Sequence, residues 1–106
     1  MFNGDTYTAD HDINAAGTSL QGHIVASRED LMKVFGSPID YPLGDKVTTE
    51  WIIEFNDLEI ATIYDWKNEV RPNFNEIFEW NIGGKTYDVV SRIKEIVSRS
   101  QFDVIA

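Results

Sequence analysis

An aromatic ring beside an ammonium group suits a charged, ring-bearing ligand, because the ring stacks on a base and the ammonium meets its phosphate. Tyr64-Asp65-Trp66-Lys67 alternates large rings with charge. On a strand, Tyr64 and Trp66 share one face and Asp65 and Lys67 the other. Trp80 is the third candidate ring, and Lys46, Lys67 and Lys85 are the candidate phosphate partners. Ile82-Gly83-Gly84-Lys85 precedes a helix, whose free N–H groups can hold an anion. Each feature also has a plain structural reading. Trp51, Tyr64 and Trp80 suit a core that anchors helices to a sheet, and Gly83-Gly84 suits a strand-to-helix turn.

A second candidate surface is acidic. The net charge is −9, from 18 acids against 9 bases. The middle of the chain, residues 40–79, is acid-rich, whereas residues 85–99 carry four bases against two acids. Glu50, Glu54, Glu59, Asp65 and Glu79 can form an acidic sheet face that docks on a basic nucleic-acid site of another protein. Direct nucleic-acid binding is not expected, because it requires a basic surface that releases counterions. Plain solubility is the simpler account of the charge.

No pattern points to catalysis. There are two histidines and no cysteine, and Ser19 and Ser27 have no neighbouring base in sequence. Among 18 acids some pairs lie close by chance, so paired carboxylates carry no signal. Glycine-rich nucleotide motifs are absent. Asp10-His11-Asp12 can meet a divalent cation, but a mobile acidic arm has no preorganised ligand set. No cofactor is expected. The lack of cysteine fits a reducing compartment, and no segment has the length and hydropathy of a membrane span or signal peptide. The expectation is a non-enzymatic cytoplasmic protein.

The elements that must position these residues read as β-α-β-β-β-α: an α+β domain with a mostly antiparallel sheet of about four strands and two helices on one face. Residues 1–16 read as a flexible acidic arm, 17–99 as the domain and 100–106 as a short tail. Ser27 reads as an N-cap, with Gly36 and Pro38 stopping the first helix. Residues 48–55 and 59–66 read as a hairpin across Asn56-Asp57. Two- or four-residue loops place Ile60, Thr62, Tyr64 and Trp66 beside Trp51, Ile53 and Phe55, whereas a three-residue bulged loop reverses the facing. Thr86 reads as the cap of a last helix whose stripe is Val89, Val90, Ile93, Ile96 and Val97. The order α-β-β-β-α is also that of a double-stranded-RNA-binding domain, but Lys85-Thr86-Tyr87-Asp88 is no phosphate clamp.

Several strings together, Gly17-Thr18-Ser19-Leu20-Gln21-Gly22, Phe35-Gly36-Ser37-Pro38, Asp45-Lys46, Glu50-Trp51, Ala61-Thr62-Ile63-Tyr64-Asp65-Trp66-Lys67 and Trp80-Asn81-Ile82-Gly83-Gly84, resemble a family of small, uncharacterised bacteriophage accessory proteins. His23 stands where that pattern has an aromatic ring, and Leu58 stands where its hairpin has Gly, which implies a longer loop. The resemblance implies a phage-encoded binding protein acting in an infected bacterium against a host antiviral defence. It would capture a nucleotide signal or dock on a defence protein, as an anti-CRISPR or anti-restriction mimic does. A small nucleotide enzyme is the alternative from another class. The remaining alternative is a virion or assembly component that oligomerises through its open sheet face.

Overall fold

The structure is a computed structural model, and it describes residues 7–10, 13–67 and 71–105. His11 and Asp12 lie outside the described residues. The fold is α+β, with an antiparallel sheet and two helices. Strands β1 (Tyr7–Ala9), β2 (Ser19–Ser27), β3 (Ile39–Asp40), β4 (Thr49–Phe55), β5 (Ile60–Tyr64) and β6 (Ile77–Gly84) accompany helices α1 (Arg28–Phe35) and α2 (Asp88–Ile105). The order across the sheet is β1-β4-β5-β6-β2, and β3 shares with β1 the same edge of β4. Six strands replace the four expected. The two additions are short, and β1 falls inside the segment read as a loose arm. The last helix also runs through the segment read as a tail.

Helix α1 starts where its capping chemistry dictates. Ser27 is extended and its hydroxyl accepts from the Asp30 N–H, while Asp30 accepts from the Ser27 N–H, a reciprocal capping box. Gly36 closes the helix at φ 83°, donating to the Met32 carbonyl. Helix α2 begins at Asp88, and Thr86 does not cap it: its hydroxyl donates to Glu59 at 3.1 Å. Arg92, almost fully buried, fixes α2 to the β4–β5 hairpin. It donates to both Asp57 oxygens at 3.1 and 3.0 Å and lies 4.0 Å from the Phe55 ring centroid.

The core lies between the helices and one sheet face. Ile24, Ala26, Trp51, Ile53, Phe55, Ala61, Ile63, Trp80 and Ile82 meet Leu31 and Phe35 of α1 and the full valine-isoleucine stripe of α2. Trp51 and Trp80 meet edge to face at 5.3 Å. Each buried indole N–H finds a carbonyl, Gly36 for Trp51 and Ala26 for Trp80.

The hairpin facing is the reverse of the one that a two- or four-residue loop gives. The Phe55 N–H donates to the Glu59 carbonyl and the Leu58 N–H to the Phe55 carbonyl, both at 2.9 Å. These bonds close a three-residue loop, Asn56 to Leu58. Leu58 takes the left-handed conformation at φ 72° in place of a glycine. Trp51 therefore pairs with Ile63, and Ile53 with Ala61. Thr62 and Tyr64 turn to the face that carries no helix. The loop is shorter than Leu58 implied, because a leucine supplies the strained residue itself.

Candidate functional site

On the helix-free face Glu50 pairs with Tyr64, and Tyr64 in turn with Asn81. Gly83 sits beside Thr62 on this face, and its lack of a side chain is structural. A Cβ there would lie 2.5 Å from Thr62 Oγ1 and 3.4 Å from Tyr64 Cε1, so the Tyr64 ring lies close against the Gly83 backbone. Tyr64 is half-buried, and its phenol is pushed up by burial and then by the negative charge of Glu50.

Past the end of β5 the chain turns at Lys67, which has φ 55° and donates its N–H to the Lys46 carbonyl. This contact joins the 41–48 loop to the end of β5 and gathers the predicted residues. Trp66, 48% exposed, meets Tyr64 edge to face at 6.5 Å. The ammonium groups of Lys46 and Lys67 each lie 5.8 Å from the Trp66 ring centroid. That is the outer limit of a cation–π contact, so both lysines are held loosely at the ring. Arg71 reaches the same loop, donating to the Tyr41 carbonyl and pairing with Asp40 at 3.4 Å. The bases of the acidic middle segment thus meet at one end of the sheet.

Lys46, Tyr64, Trp66 and Lys67 come together, with Gly83 against the Tyr64 ring, and the other three ligand candidates do not join them. Trp80 is fully buried in the core. Gly84 faces α2, where a Cβ would lie 2.6 Å from Val89. Lys85 is exposed beside Gly17. Antiparallel pairing sets Gly84 opposite Ala61, at the start of β5, whereas Trp66 follows its end. About five residues at 3.3 Å each, roughly 16 Å, separate the two ends.

The acidic set is taken apart more thoroughly. Asp65 is fully buried, so it docks on nothing. Its carboxylate accepts from the Thr48 N–H at 2.8 Å, the Thr49 N–H at 3.0 Å and the Thr48 hydroxyl. Glu59 is engaged by Thr86 and Arg92. Glu50 accepts from the Tyr41 hydroxyl at 2.7 Å, and the Tyr41 phenol is pushed up to about 12 by burial and then by this carboxylate. Glu54 lies half-buried in β4, across from Thr8 of β1 and Ile60 of β5, and Glu79 is exposed on β6. Of these five acids only Glu79 is exposed, so the five do not form a continuous acidic face. Tyr41 and Arg71 were missed because they sit in connectors without periodicity, and only the pairing of distant loops brings them to the site.

Among the described residues, no group of three or more His, Asp or Glu is placed to hold a metal ion, and no helix is long and apolar enough to cross a membrane. Comparison with known proteins gives no match, either to a family model or to a curated sequence.

Proposed function

We propose that this protein is a small binding module that captures a nucleotide on the exposed ring of Trp66, with Lys46 and Lys67 taking the phosphate. The observation that carries this reading is a half-exposed indole with two ammonium groups at 5.8 Å. Such a cluster in a chain of net charge −9 concentrates the positive field where an anion can be held. Glu50 beside Tyr64 repels phosphate from the sheet side and orients it toward the lysines. Stacking on Trp66 contributes about 1–3 kcal/mol per base.

With the resemblance to phage accessory proteins as its support, the proposed setting is an infected bacterium and the proposed ligand a nucleotide signal of a host defence. The competing acidic-mimic reading has less support, because Asp65 is buried and Glu59 is engaged by Arg92 and Thr86. Calorimetry against cyclic dinucleotides, cyclic oligonucleotides and ADP-ribose derivatives tests the proposal. Trp66→Ala should weaken capture roughly 5- to 150-fold, the affinity equivalent of one lost stack. Lys46→Glu with Lys67→Glu should abolish it and leave the fold intact. No nucleotide bound at micromolar concentration, with a host protein co-purifying, would replace capture by protein docking.

A further inference from the structure

We infer that the outer edge of β2 is a self-pairing surface, on which a second copy of this chain adds its own β2 antiparallel to form one continuous sheet across a two-fold axis. Strand β2 ends the sheet, and among the described residues no strand pairs with its outer side. Monomeric proteins blunt such an edge with lysine, proline or short strands. The opposite edge of this sheet is protected in that way, because β1 and β3 there are three and two residues long. Strand β2 has nine residues, Thr18 to Ser27 contains neither a charge nor a proline, and its register shift between Leu20 and Gly22 lies near the start of the strand and leaves Gly22 to Ser27 regular.

A groove of about 640 Å³ runs beside this edge, between Gly22–Val25 on one side and Tyr87 with Val90, Lys94 and Val97 of α2 on the other. Gly22 allows the helix to sit this close, since a Cβ there would lie 2.9 Å from Val90. Val25, Ile77 and Tyr87 are 63%, 66% and 71% exposed around the seam. The charges lining the groove include one acid, Glu79, and one lysine, Lys94.

Charge and area both favour a second copy. Two molecules of net charge −9 repel wherever acids face each other, and pairing through β2 sets no charged strand residue against its equivalent. Nine residues at 3.3 Å make a seam about 30 Å long. Covered across the full 22 Å smallest extent of the molecule, this seam would bury at most about 650 Å² per copy, or about 1,300 Å² in total, which reaches the lower end of specific interfaces. Because the other edge is blunted, addition stops at two copies and does not propagate into a fibre.

Sedimentation of the full chain from about 1 to about 300 µM spans the affinities such an interface gives. The expected result is a monomer that becomes a dimer and goes no further, while β2 amides gain protection from hydrogen exchange as concentration rises. Val25→Lys, at an exposed position, should keep the circular dichroism of the fold and remain monomeric throughout. A wild-type chain that stays monomeric, β2 exchange independent of concentration, or a dimer that survives Val25→Lys would each overturn the inference. So would a foreign strand captured on β2 by a chain that never pairs with itself. Lys46→Glu with Lys67→Glu should dimerise normally, which separates this surface from nucleotide capture.

Discussion

Removing the Asp65 carboxylate tests whether this residue is a surface acid or a buried fastener between β5 and the 41–48 loop. In Asp65→Ala, two backbone N–H groups and one hydroxyl lose their acceptor in a region where Asp65, Thr48 and Thr49 are all fully buried. Each stranded buried donor costs about 1–3 kcal/mol. Water entering the vacated volume recovers part of this, so the expected loss is about 3–5 kcal/mol, a large share of the stability of a small domain. Asp65→Asn keeps one carbonyl oxygen for the two N–H groups, and the Thr48 hydroxyl can rotate to accept from the new amide. Its expected cost is about 1–2 kcal/mol. Urea unfolding followed by tryptophan fluorescence measures both, since Trp51 and Trp80 report the core. If both variants unfold within about 0.5 kcal/mol of the parent, as a surface docking acid requires, the fastener role is wrong.

Three further outcomes follow from the sheet. Leu58→Gly should stabilise the protein by roughly 0.5–1 kcal/mol in thermal unfolding, because it relieves a left-handed leucine while making the unfolded chain more flexible. Gly83→Ala should destabilise by about 1–3 kcal/mol in urea, since its Cβ meets Thr62 Oγ1 at 2.5 Å, and Thr62→Ala in the same chain should recover part of the loss. The folded state holds the Tyr41 proton more tightly than the unfolded chain does, so stability is full below pH about 10 and declines as pH climbs toward 12. Glu50→Gln should lower the Tyr41 midpoint, read from phenolate absorbance, and make that alkaline decline shallower.

Local rules wrote much of this fold legibly into the chain. Ser27, Asp30 and Gly36 specify α1 by capping chemistry confined to a few residues. The spacing of Val89, Val90, Ile93, Ile96 and Val97 identifies the buried face of α2 with no knowledge of its partner. Strands β1 and β3 were illegible because three- and two-residue strands have no period to detect, and both exist through pairing with β4. The site divided in the same way. Lys46 and Trp66 are twenty residues apart, and their meeting depends on bonds between distant segments, Lys67 to Lys46 and Asp65 to Thr48 and Thr49. Lys85 was placed with Trp66 by supposing that strand ends coincide, and antiparallel pairing of β5 with β6 separates them, whereas Trp80 lies near the Tyr64 end of β5 and is removed by its burial in the core.

The facing of β5 shows why residue pattern alone could not decide the chemistry. Ile60 and Thr62 on one side, and Ala61 and Ile63 on the other, are all buried, so neither side of this central strand declares itself as the core. The decision falls to the loop. With three residues and a left-handed Leu58, Ala61, Ile63 and Asp65 point to the helix side, and Tyr64 is freed to lie beside an exposed Trp66. One more or one fewer loop residue would swap the two sets, pointing Tyr64 and Trp66 toward the core and Asp65 toward solvent. The turn therefore decides whether Asp65 or the Tyr64 and Trp66 pair meets solvent, while Glu50, Glu54 and Glu79 keep their places on β4 and β6. The turn that occurs assigns the carboxylate to holding β5 against Thr48 and Thr49, and it leaves the ring and its two lysines available to a ligand.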